Sequence, residues 1–204
     1  MTVQDGEVRL NNHSAMSEKK ERIMEAAIQL FVEKGFHASP MSELAKRARV
    51  AQGTLYVYFS SKEALIKELF EDIEGRIRAA VEVGYPKSSS LKERFLHVWR
   101  NLLLYAISNP LHFRYMEQYY NSPYGISLRR DRLVEQRGGV ETFRDLFEEG
   151  IRQGILKDFP IAVIFALTFG PLIALARDHI LGFIELKEEI IMSVAEACWE
   201  GIKR

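Results

Sequence analysis

The stretch that decides the fold is Gly53-Thr54-Leu55-Tyr56-Val57-Tyr58-Phe59-Ser60-Ser61-Lys62-Glu63-Ala64-Leu65 (GTLYVYFSSKEAL). Leu55 and Phe59 stand four apart, the spacing that sets two apolar anchors on one side of a helix. Gln52, Thr54, Tyr56, Val57 and Tyr58 are then left to face outward or flank. Such a set suits a DNA major groove. Glutamine pairs bidentately with adenine, threonine bonds a phosphate or meets a thymine methyl, and valine packs against that methyl. Tyr56, Tyr58 and Lys62 suit phosphate oxygens, which fix register without reading sequence. The same spacing also describes an ordinary core cluster of Tyr56, Tyr58 and Phe59, and spacing alone leaves both readings open.

Upstream, Ile23, Ala26, Ala27, Leu30 and Phe31 form an amphipathic stripe, predicting a first helix from about Ser17 to Lys34 with Gly35 as its stop. Ser39 before Pro40 reads as an N-cap with proline at the first helical position. The short second helix places Leu44, Ala45 and Ala48 inward, and Arg49-Val50 turn the chain into a third helix over Gln52 to Phe59. A small side chain at Ala45 allows the two short helices to cross closely, as a helix-turn-helix requires. Ser60 and Glu63 have the spacing of a capping box, so a fourth helix is expected to run to about Val83.

The stretch Glu21 to Leu65 closely resembles the DNA-binding domain of the TetR/AcrR family of transcription regulators. The quoted segment carries most of the likeness, and Ala26-Ala27, Leu30-Phe31 and Lys34-Gly35-Phe36 in the first helix add to it. The resemblance implies operator contacts at Met41 and Ser42, at Gln52, Gly53, Thr54, Tyr56, Val57 and Tyr58, and at Lys62. Two departures stand out. The family usually has glycine where Arg49 sits, so Arg49 must tolerate a backbone conformation that disfavours side chains or adjust it. It often has histidine where Val57 sits, and valine gives up that polar contact.

Charge supports a nucleic-acid partner only locally. Lys plus Arg and Asp plus Glu are 28 each over the 204 residues. From Ser17 to Lys62, however, eight Lys or Arg face five Glu, with Lys46, Arg47 and Arg49 clustered at the turn.

Beyond Val83 the chain reads as helices throughout. Gly84 to Ser90 (GYPKSSS) is a composition break, and Asn109-Pro110 and Ser122-Pro123-Tyr124-Gly125 are further stops. Helices are expected over Leu91 to Ser108, Leu111 to Asn121, Ile126 to Gln153, Pro160 to Phe183 and Leu186 to Lys203. Val140 is expected to face inward and Gly138-Gly139 to kink or split the long one. The fold class is all-α, with about nine helices: an N-terminal three-helix helix-turn-helix domain and a helical ligand-binding and dimerisation domain. The domains are expected as a disordered leader over 1–16, the DNA-binding domain over 17–62 and the sensing and dimerisation domain over 63–204. Met16 is a candidate start.

In the body the resemblance is architectural. It implies a homodimer whose last two helices pair with their mates in a four-helix bundle. Phe165, Leu172, Ile173, Ala176, Ile191, Val194 and Cys198 are the expected interface, since these helices offer more apolar surface than one copy covers. An effector site is expected among Phe95, Trp99, Tyr105, Phe113, Tyr119, Phe143, Phe147 and Phe169, because aromatics with a few polar tips line apolar-ligand sites. Aromatics at helical spacing equally describe core. The expected partners are double-stranded palindromic operator DNA, a second copy and a small apolar or aromatic effector that releases a repressor. No cofactor or metal is expected.

Several other classes are disfavoured. Cys198 is the only cysteine, which excludes an intramolecular disulfide framework or a zinc site of several thiolates and fits a reducing cytoplasm. No G-x-S-x-G, H-E-x-x-H or phosphate loop points to an enzyme. Phe159 to Ala176 (FPIAVIFALTFGPLIALA) is uncharged and touches the length of a membrane span. Asp158 and Arg177 bracket it closely, and it is read as a buried helix with no membrane partner.

Overall fold

A computed structural model describes the backbone of residues 3–133 and 141–204, and side-chain surroundings over 16–130 and 143–204. Among these residues ten α-helices are formed, in order α1 (Val3–Lys34), α2 (Met41–Arg47), α3 (Gln52–Tyr58), α4 (Lys62–Glu82), α5 (Leu91–Ser108), α6 (Pro110–Tyr120), α7 (Pro123–Leu133), α8 (Glu141–Arg152), α9 (Ile161–Ile180) and α10 (Glu188–Ile202). Among the described residues no strand occurs, only an isolated bridge between Leu156 and Lys203. The tenth helix arises because the expected 126–153 helix is two. Gly138-Gly139 and Val140, expected to kink it and to face inward, lie outside the described residues.

The chain forms two compact units. One comprises Met1–Ile73 with Arg114–Gln118, the other Glu74–Phe113 with Tyr119–Arg204. Helices α4 and α6 therefore contribute residues to both.

In the first unit, Ile23, Ala27, Leu30 and Phe31 of α1 are buried with Leu44 and Ala45 of α2, Leu55 of α3, and Leu65, Ile66 and Ile73 of α4. Tyr115 of α6 is buried there too, its ring edge-on to Phe36 at 5.5 Å. Gly35 ends α1 with φ +79°, a conformation glycine adopts without penalty. Helix α1 begins well before Ser17. No proline interrupts the polar residues ahead of it, and extending an existing helix costs far less than nucleating one.

Two caps differ from the sequence expectation. Ser39 does not cap α2. Its buried hydroxyl donates back to the Gly35 carbonyl at 2.6 Å, near the end of α1, where backbone acceptors lack helical partners. Pro40 is itself the N-cap of α2, without a side-chain bond. For α4, Ser61 rather than Ser60 caps the helix, its Oγ accepting from the Ala64 N–H at 3.1 Å.

In the second unit α5 packs against α8, α9 and α10. It opens with a complete capping box between Ser90 and Glu93, and a hydrogen bond from the Ser90 hydroxyl, helped by the Ser90 backbone N–H, holds the Glu93 carboxyl below the usual carboxylate range. Trp99 is fully buried, and its indole N–H donates to the Thr168 carbonyl at 2.8 Å. Pro171 sits within α9, where it lacks the N–H that would donate to the Leu167 carbonyl. At the α6–α7 corner Ser122 Oγ donates to the Tyr119 carbonyl at 2.7 Å. Gly125 follows in so tight a space that a Cβ there would lie 2.1 Å from that carbonyl oxygen.

Candidate nucleic-acid interface

Helix α2 closes with a paired reversal. The Arg49 N–H donates to Lys46 O at 3.2 Å and the Val50 N–H to Ala45 O at 3.0 Å. This double bond pattern requires a left-handed residue between cap and turn, usually glycine. Arg49 fills it with φ +53°, the only non-glycine residue with positive φ among the described residues. The strain expected at this position is therefore present.

The turn delivers α3 with Leu55 and Phe59 buried, at 0% and 1% exposure. Phe59 is covered by the Lys20 ammonium, 5.8 Å from its ring centroid, and Lys20 is ion-paired with Glu68 of α4. These anchors push the opposite side of α3 outward. Tyr56 is 50% and Val57 74% exposed, and Gln52 and Gly53 are exposed as well. Thr54, Tyr58 and Lys62 are half-buried at the flanks, and Ser42 is exposed on α2. Tyr56 thus does not join Phe59 in a buried cluster, whereas the half-buried Tyr58 ring lies 6.5 Å from that of Phe59. Met41 is the exception among the expected contacts: it is buried at the start of α2.

The cation cluster is smaller than its sequence suggested. Arg47 is bound by Glu33 at 2.7 Å and Glu43 at 3.4 Å, and Lys34 holds Glu43 at 2.7 Å. The Lys34 hydrogen bond, helped by Arg47, keeps the Glu43 carboxyl below its ordinary value. Lys46 and Arg49 remain exposed and enter no ion pair among the described residues.

In the second unit four of the expected effector aromatics, Phe95, Phe143, Phe147 and Phe169, pack on one another. Phe143 meets Phe169 edge-on at 4.9 Å, and Phe95 lies 6.3 Å from Phe147 and 5.5 Å from Trp199. Phe95, Trp99, Phe113, Tyr119, Phe143 and Phe147 are buried, while Tyr105 and Phe169 are half-buried. The Tyr105 hydroxyl and His112 Nδ1 are 2.7 Å apart, a polar spot beside the aromatics.

The expected interface residues divide. Ile173 is exposed and Phe165 and Val194 are half-buried, whereas Leu172, Ala176, Ile191 and Cys198 lie in the core of their own unit. Burial also pushes the Cys198 thiol up, away from the reactive thiolate. Sequence reasoning missed Val163 and Leu167 on α9 and Phe183 in the loop that follows it, all exposed. Between Ala162 and Ala174 the open side of α9 carries only alanine, glycine and aliphatic side chains. The signal was the absence of any polar side on α9. By length and composition alone α9 could cross a membrane, and of the stretch expected to be buried only Ile164, Thr168, Leu172 and Ala176 are so.

A helix-turn-helix whose second helix stands clear of its core, followed by an all-helical body, defines a DNA-binding transcription regulator. Residues 23–69 match the family described as bacterial regulatory proteins, tetR family, and residues 90–203 match the tetracyclin repressor-like C-terminal domain. The second match alone spans more than half of the chain, which therefore belongs to the TetR family of transcription regulators. An HTH-type transcriptional regulator of Haemophilus influenzae is 27% identical over 93% of this chain and 98% of its own length. The solved structure of a putative TetR-family regulator from Vibrio parahaemolyticus is 31% identical, covers 91% of this chain and 99% of that one, and has a TM-score of 0.71. FadR of Bacillus subtilis, solved in complex with stearoyl-CoA, shares the fold at 19% identity and TM-score 0.67, over 89% of this chain and 96% of its own.

Proposed function

We propose that this regulator is a cytoplasmic dimeric repressor that a small apolar effector releases from a palindromic operator. The observation that carries the proposal is the presentation of α3: buried Leu55 and Phe59 hold it, and exposed Tyr56 and Val57 lead away from the core. Gln52, Gly53, Thr54, Tyr56, Val57 and Tyr58 would meet the major groove, with Ser42, Lys62 and the Met41 backbone on phosphates. Two such helices in a dimer would enter successive major grooves about 34 Å apart.

The uncovered apolar side of α9 supports the dimer, since exposed apolar surface of this extent marks an interaction face. The aromatic body supports an apolar effector, and the stearoyl-CoA bound by FadR makes a long-chain acyl thioester the first probe. Helices α4 and α6 both contribute to the DNA-binding unit and to the body, which gives an effector two covalent routes to the reading head. The effector acts only through its preference for the conformer with lower DNA affinity.

The experiment is recovery and sequencing of genomic fragments bound by the purified protein, followed by mobility shifts with the Thr54→Ala/Tyr56→Ala variant and with stearoyl-CoA. A recovered palindrome that the variant no longer retards is the expected result. A variant that binds as well as the parent overturns the assignment of α3. Retardation indifferent to stearoyl-CoA removes that acyl thioester as effector.

A further inference from the structure

Successive residues of a helix turn by about 100°, which places Val57 opposite the Leu55 and Phe59 anchors and Gly53 one turn earlier on the same side. The exposures agree, since Val57 at 74% is the most open large apolar residue of α3. At Gly53 a Cβ would meet nothing within 4 Å, and the backbone there is ordinary helix. The line of α3 furthest from the core is thus an apolar stub beside bare backbone. The polar side chains of Gln52, Thr54, Tyr56 and Tyr58 lie to either flank.

The folded chain explains neither residue. An exposed valine gains little from burial, and glycine is the weakest helix former apart from proline. The major groove offers an explanation for both. Each base pair shows hydrogen-bonding groups there, but the apolar feature is the C5-methyl of thymine. A side chain without donor or acceptor, pressed against a polar base edge, would leave that edge unpaired. Against a methyl it loses nothing.

We infer that Val57 reads a pyrimidine C5-methyl in each operator half-site, and that Gly53 stays bare so that the helix approaches closely enough for so short a side chain to reach it. This rests on the DNA-binding reading above and adds the base chemistry at its centre. The flanking polar residues then supply hydrogen bonds around a contact that is itself apolar.

The test uses the full-length protein and a pool of random DNA duplexes. The selected duplex is resynthesised with each thymidine replaced, one position at a time, by deoxyuridine, which removes only the methyl. One position per half-site is expected to respond, by about fourfold for one methyl and about fifteenfold for both. Restoring the methyl with 5-methylcytosine on a T-to-C duplex should recover part of the binding, whereas plain cytosine should not. Val57→Ala is expected to lose the thymidine–deoxyuridine difference at that position, and Val57→Ile to keep it. Gly53→Ala should melt no lower than the parent yet bind at least tenfold more weakly. Deoxyuridine tolerated at every position, an undiminished difference in Val57→Ala, or unimpaired binding by Gly53→Ala overturns this inference while leaving DNA binding intact. No enriched duplex at all overturns the DNA-binding reading, and this inference with it.

Discussion

The Tyr115 hydroxyl donates a 2.6 Å hydrogen bond to the backbone carbonyl of Ile66, tying the middle turn of α6 to α4 inside the DNA-binding unit. The Tyr115 ring is fully buried there, 6.5 Å from Phe31 and 5.5 Å from Phe36. Tyr115→Phe keeps the ring and removes one buried hydrogen bond, for an expected loss of about 1 kcal/mol. Thermal unfolding should shift down by about 2–4 °C in a chain of this size. Tyr115→Ala also leaves a cavity and should cost several times more.

Arg49 holds φ +53° at a position where the backbone, not the side chain, is needed. Arg49→Gly removes the Cβ penalty and should stabilise the fold by about 1 kcal/mol, read as a higher urea midpoint at unchanged slope. Arg49→Val should destabilise it, because a β-branched residue is least tolerant of this conformation.

Salt dependence separates the cations of the turn. Lys46 is exposed, whereas Arg47 is held by Glu33 and Glu43. If Lys46 neutralises one phosphate per head, Lys46→Ala should lower the slope of log affinity against log salt by roughly one per head. Arg47→Ala should leave that slope unchanged and show its effect in the stability of the unit instead.

The Glu149 carboxyl is held below the ordinary carboxylate range, chiefly by its 2.6 Å hydrogen bond from the mostly buried Arg94. A carboxylate depressed in the folded state contributes stability above its unfolded pKa, about 4.3, and loses it as pH falls through the lower folded value. Glu149→Gln should therefore be less stable than the parent at pH 7, with the gap closing between pH 5 and 3. Denaturant titrations across that range measure it; a gap independent of pH would assign the loss to packing.

Leu167 lies on the uncovered side of α9, 41% exposed. Leu167→Lys should leave the helical content of the isolated chain intact and convert a dimer to monomers in sedimentation analysis. Leu172→Lys, placed in the core of the same helix, should unfold the unit instead.

The helix-turn-helix was legible because it needs little beyond local spacing. Leu55 and Phe59 at four residues fix which side of α3 faces in, and the glycine usually found at the Arg49 position announces the left-handed turn. What was misread depends on distance in space. Ser39 stands before a proline like a cap, but the acceptors it reaches belong to the end of α1. Arg47 looked available because Glu33, which neutralises it, sits on another helix. Up to Ala176 helix α9 has no charged side chain to mark its outer side, so no periodicity could say which side was inward, and Leu172 and Ala176 were assigned outward when they are core.

The α6–α7 corner has a consequence for how such a chain diversifies. With Gly125 pressed on the Tyr119 carbonyl, no side chain fits unless α7 moves as a whole. Sequence drift in the body must therefore pivot around this corner or relocate it, and relatives that have lost the glycine should show α7 displaced.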